Sequence, residues 1–104
     1  MKNKDVFILN WRDFEIEVTF VSSYSPISEK LSGFAMSHIE IRTVKPKGAA
    51  LPITGTGYRS IFMALPDIEA RGGVKTLILN ELNEAAETKE WQEKEIKERQ
   101  YSLF

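Results

Sequence analysis

Residues 14–20, "FEIEVTF", place Phe14, Ile16, Val18 and Phe20 at every second position, with Glu15, Glu17 and Thr19 between them. In an extended chain successive side chains point to opposite faces, so strict period two builds a strand with one dry and one wet face. The apolar run before it, "DVFIL" (5–9), reads as a first strand. Asn10–Asp13 is then the hairpin connection, with the Trp11 ring capping the end of the core. "SHIEIRTV" (37–44) restores the alternation: Ile39 and Ile41 face in, while His38, Glu40 and Arg42 form a polar row on the other face. Cross-strand neighbours such as Glu15 or Glu17 would stabilise that row. "YRSIFMAL" (58–65), apolar and aromatic, is a fourth strand.

The connections are read from their breakers. "SSYSPISEKLSG" (22–33) is rich in serine with proline and glycine, the composition of an exposed loop. "KPKGAALP" (45–52) can be neither a helix interior nor a central strand, because proline lacks the N–H donor and fixes φ. Pro66 and Asp67 begin a short helical turn that Gly72 and Gly73 stop. From there the period changes. Val74, Leu77, Ile78, Leu82 and Ala85 fall at i, i+3, i+4, i+8 and i+11, one stripe of an amphipathic helix, with Glu81, Glu84 and Glu87 off the stripe. Thr88 is placed to cap a second helix or a continuation of the first, "KEWQEKEIKER", in which Glu90/Lys94, Glu93/Lys97 and Glu95/Arg99 stand in the acid-first i,i+4 order. Trp91 and Ile96 are its two apolar anchors, so an extended, partly solvated helix is expected.

Composition bounds the function. The 104 residues are 42% hydrophobic, enough for one modest core. Net charge is -1; residues 1–71 carry 9 basic and 8 acidic groups and residues 74–104 carry 5 and 7. Neither part is a basic surface for nucleic acid or an anionic membrane, so no direct nucleic-acid or membrane partner is expected. The lack of cysteine removes disulfides, thiolate nucleophiles and zinc-thiolate sites together. Val6–Leu9 is too short for a signal-peptide core or a membrane span, and a soluble cytoplasmic protein is the expectation.

"PITGTGYRS" (52–60) is the densest run of glycine and hydroxyl residues. A phosphate cradle needs converging backbone N–H groups with a helix N-terminus behind them, usually with a lysine or a third spaced glycine. Here Gly55 and Gly57 lead into Tyr58, Arg59 and a strand-like segment, so Gly57 reads as a positive-φ turn residue. His38 is the sole histidine. Ser37, Ser60, Asp67 and Glu40 are nominal partners for it in a Ser-His-acid arrangement, and no spacing selects among them. One histidine and scattered carboxylates form no metal-ligand pattern. The series Glu81, Glu84, Glu87, Glu90 is a solvated helix face. No catalytic residue, cofactor or metal is assigned, and the expectation is a protein that is not an enzyme.

Two resemblances add to this reading. Gln100, Tyr101, Ser102, Leu103 and Phe104 resemble the pentapeptide by which many bacterial replication and repair proteins bind the DNA sliding clamp, usually Gln-Leu-(Ser/Asp)-Leu-Phe. Four of five positions match and Tyr101 departs. The resemblance implies a flexible tail that delivers Leu103 and Phe104 into an apolar pocket, with the Gln100 amide setting the register. "SHIEIR", "LPITGTGYRSIF" and "GGV" before a helix resemble a family of small uncharacterised bacterial proteins often encoded on plasmids and other mobile elements. Its motif runs Pro-Leu-Pro-Ile-Thr-Glu-Thr-Gly-Tyr-Arg-Ser-His-Phe, and this chain departs at Ala50, Gly55 and Ile61. That resemblance implies a genomic setting and no activity.

The expected architecture is α+β: an antiparallel sheet of about four strands (domain 1–87) packed against one amphipathic helix, with a charged helical extension (88–104) ending in the linear motif. The expected function is a mobile-element interaction module that docks on the sliding clamp through Gln100–Phe104. The alternative is a small inhibitor or adaptor of another host protein, such as a defence nuclease, using a sheet edge or the Thr54–Arg59 loop with Tyr58 and Arg59 as anchors. An enzyme built on His38, Tyr58 and Arg59 is the third reading. Oligomeric state and strand order stay open.

Overall fold

The computed structural model describes residues 4–102, without the side chains of Ser28 and of residues 99–102. Four strands, β1 (Lys4–Trp11), β2 (Phe14–Val21), β3 (Met36–Lys45) and β4 (Tyr58–Ala64), form one antiparallel sheet in the order β1-β2-β3-β4. The fold is α+β, with strand order following the chain because each strand pairs with its sequence neighbour.

The alternation reads out as burial. Ile16 and Val18 of β2 and Ile39 and Ile41 of β3 are fully buried on one face, together with Leu9 and Trp11 of β1. β1 and its hairpin partner extend further than the apolar run alone marks. The turn is only Arg12 and Asp13, with Trp11 opposite Phe14. Arg12 takes the tight position at φ 52.

Helices cover the buried face. α2 (Leu65–Ala70) contributes Ile68, and α3 (Val74–Ala86) contributes Leu77, Ile78 and Leu82 to the same cluster as the strands. At the end of the α3 stripe it is Ala86, not Ala85, that is buried, because 3.6 residues per turn carries the face forward. α4 (Lys89–Ser102) follows after Thr88, whose Oγ1 accepts the Trp91 backbone N–H at 3.3 Å as a helix cap. Trp91 seats α4 against Trp11 and Phe14, at ring-centroid distances of 6.4 and 6.5 Å. The Trp11 Nε1–H donates to Asn83 Oδ1 at 2.9 Å, tying the hairpin end to α3.

Two expectations are corrected. The serine-rich stretch is not a plain loop, for it contains α1 (Pro26–Ser32). Pro26 starts it where its missing N–H costs nothing, and Gly33, at φ +80, ends it by donating its N–H to the Glu29 carbonyl. Lys94 on α4 also departs from the acid-first scheme, while the Arg99 side chain expected to pair with Glu95 lies outside the described residues. Glu95 pairs with Arg12 at 2.7 Å, and Lys94 pairs with Glu98 at 3.9 Å. Arg12 lies beside α4, and its guanidinium also stacks over the Trp11 ring at 4.6 Å. No helix among the described residues is long and apolar enough to cross a membrane.

Candidate functional site

The glycine-rich run resolves into a turn. Leu51 and Thr54 exchange main-chain hydrogen bonds of 2.8 and 3.0 Å, and after Gly57 the chain enters β4 instead of a helix. Gly57 sits at φ +75, and a Cβ there would lie 2.7 Å from the Gly48 carbonyl oxygen. Its role is close approach between two backbone segments, which leaves no concave nest for a phosphate. The Tyr58 carbonyl accepts the Thr54 hydroxyl at 2.7 Å and the Thr56 hydroxyl at 3.1 Å. These hydroxyls tie the loop to the start of β4.

Tyr58 and Arg59 do not form one anchor pair, since neighbours on a strand face opposite ways. Tyr58 lies on the solvent-facing side, 42% exposed, with the Arg42 guanidinium 5.6 Å from its ring centre. Arg59 projects from the other side, where its Nη1 reaches the Ile53 carbonyl at 3.4 Å.

The structure selects His38's partners. Its Nε2 is 2.6 Å from Ser60 Oγ, and its Nδ1 is 3.7 Å from a Glu40 carboxylate oxygen. Of the other two residues nominated, Ser37 is buried on the opposite face and donates to the Ser22 carbonyl at 2.6 Å, and Asp67 lies in α2. His38 is not the exposed member of a polar row. Its ring stacks on Phe62 at 4.4 Å and meets Tyr24 at 5.2 Å, so it is buried on the outer face of the sheet. Strand register brings the group together: Glu40 pairs with Ser60 and His38 with Phe62 across β3 and β4. Acyl transfer also needs donors aimed at a developing oxyanion and a cleft that excludes water. The group stands on an open sheet face, and a cleft beside α4, lined by Asp13, Phe14, Pro46, Ala49, Trp91 and Glu95, shares no residue with it. Among the described residues no group of three or more histidine and carboxylate side chains is placed to hold a metal ion.

α4 carries the remaining candidates. Among its described side chains Trp91 is buried, and Ile96, Lys97 and Glu98 are exposed. The helix runs through Ser102, so Gln100, Tyr101 and Ser102 belong to its last turn and not to the flexible tail expected. Leu103 and Phe104 lie outside the described residues.

Residues 4–91 match a family described as the KlcB third domain. The chain belongs to this family. The match takes in the whole sheet, α1, α2, α3 and the Trp91 anchor, and it stops where α4 leaves the core. KlcB third domains form an uncharacterised family often associated with plasmids, which agrees with the genomic setting that the "LPITGTGYRSIF" resemblance implies. Gln100–Phe104 lies beyond the part that matches the KlcB third domain. No curated protein and no solved structure matches the chain.

Proposed function

We propose that this chain is a non-enzymatic interaction module of a mobile element that docks on the bacterial DNA sliding clamp through Gln100–Phe104. The observation that carries the reading is the course of α4. Once Trp91 is seated and Glu95 has met Arg12, the helix continues with Ile96, Lys97 and Glu98 exposed, and the molecule measures 56 Å along its long axis against 24 and 19 Å across. A linear motif that begins in the last turn of such a spacer is suited to reach a partner.

Docking as an extended peptide requires only the last turn of α4 to open. The last four carbonyls of a helix have no intrahelical partner, so opening that turn sacrifices few hydrogen bonds. Leu103 and Phe104 then supply the apolar anchors and Gln100 the polar register. Bound there, the module is recruited to replicating DNA or displaces other clamp ligands.

The test is titration of a purified bacterial sliding clamp with the intact chain, beside Leu103→Ala/Phe104→Ala. Micromolar binding, the strength of a short peptide anchor, is expected for the first and none for the second. Absence of binding by the intact chain rejects clamp docking. It would turn attention to the second reading, a host-protein inhibitor or adaptor acting through the Thr54–Arg59 loop or a sheet edge. The exposed Tyr58 ring with Arg42 against it favours that surface, because both residue types are common interface anchors.

A further inference from the structure

β1 has the composition of an interior strand and the position of an edge strand. Strands apolar on both faces belong inside sheets that are covered on both sides, whereas a strand with one wet face alternates. β2 obeys the second rule, with Glu15, Glu17 and Thr19 on its outer face. β1 does not. Phe7 packs against the core and Leu9 is buried within it, but the other face shows Val6 and Ile8, which are 56% and 49% exposed. Their neighbours across the ladder are Thr19 and Glu17, which leave them uncovered.

The backbone of β1 is open on the same side. A two-residue turn makes Trp11 and Phe14 a hydrogen-bonded pair, so alternation directs the main-chain groups of Asp5, Phe7 and Leu9 towards β2. Those of Lys4, Val6, Ile8 and Asn10 project from the free edge, where no described strand pairs with them. Natural edges are commonly blunted by proline, a bulge or an inward charge. Asp5, near the start of the strand, is the one inward charge; Val6–Leu9 carries none of these, and the register with β2 is unbroken from Lys4 to Trp11.

We infer that β1 is a self-association edge, and that a second copy of this chain pairs with it antiparallel about Phe7 to continue the sheet from four strands to eight. The choice of a second copy rests on self-complementarity. A twofold axis at Phe7 sets Val6 against Ile8 of the second copy on the outer face, and Ile8 against its Val6. Four exposed β-branched side chains then cover one another. The same axis sets Lys4 against Asn10 and Asp5 against Leu9 of the second copy, so no two like charges face each other. Every outward main-chain group from Lys4 to Asn10 gains a partner, on the order of eight hydrogen bonds in all. Closed twofold pairing also leaves no free β1 edge to propagate a fibre. The β4 edge offers no equal match, since Ser60 and Arg59 interrupt its apolar residues and the Tyr58 carbonyl is already taken by Thr54 and Thr56. This inference is independent of the clamp reading.

Sedimentation equilibrium of the full chain tests it, beside Ile8→Lys and Phe62→Lys, with the folded state of each checked by circular dichroism. The intact chain and Phe62→Lys are expected at twice 11.9 kDa, and Ile8→Lys at 11.9 kDa with an unchanged spectrum. Should Ile8→Lys fail to fold, amide exchange on the unmodified chain decides. The Val6 and Ile8 amides are expected to be protected to the level of Phe7 and Leu9, which bond to β2 in either state. An intact chain that sediments as a monomer with fast Val6 and Ile8 exchange overturns the inference. So does a dimer that survives Ile8→Lys or dissociates in Phe62→Lys.

Discussion

α3 and α4 follow one another, have 13 and 14 residues, and are held in the fold by different means. α3 buries Leu77, Ile78, Leu82 and Ala86 under the sheet. α4 buries Trp91, and among its described side chains Gln92, Glu93, Ile96, Lys97 and Glu98 are exposed. Helices in proteins draw most of their stability from a packed apolar face, and side-chain ion pairs add only tenths of a kcal/mol each. α3 is therefore part of the core, and α4 is a projection held at its root. The family match follows the same division by ending at Trp91.

Substitutions can break or sharpen that contrast. The largest effect is expected from Ile78→Ala combined with Leu82→Ala. Both residues are fully buried, and the loss is on the order of 5 kcal/mol, enough to unfold a marginally stable domain. A urea midpoint that moved little would show that α3 is not the lid of the core. Trp91→Ala is expected to cost about 3 kcal/mol, and the cost should be local. Amides of α4 should lose exchange protection while those of Ile39 and Ile41 keep theirs; equal loss in both places would merge the two regions into one cooperative unit. Smallest is Thr88→Ala, which removes the cap of α4 and costs about 1 kcal/mol. Its mark should be reduced helicity with little change in the tertiary signal of the sheet.

The sheet was legible because β2 and β3 each have one dry face, and period two records that in the order of residues. α1 was not, because its Ile27 and Leu31 are 73% and 84% exposed and so mark no buried stripe. Its signals were the terminal Pro26 and Gly33, which serine-rich composition outweighed. The contact of His38 with Ser60 depends on the pairing of β3 with β4, which joins residues 22 apart and leaves no local trace, whereas Glu40 stands two residues along the same strand face and is legible in the alternation. The opposite facing of Tyr58 and Arg59 was available from strand periodicity alone. The helical state of Gln100–Ser102 follows from a run of good helix formers that continues past the core, where the expected tail had only the motif to define it.

The central claim is that Gln100–Phe104 serves a partner and not the fold. Thermal unfolding and clamp binding of Leu103→Ala/Phe104→Ala, measured on one preparation beside the intact chain, test it most directly. The account predicts an unchanged unfolding midpoint and lost binding. A midpoint lowered by several degrees, roughly the effect of 1 kcal/mol in a domain of this size, would contradict it by showing that these side chains pack on the domain.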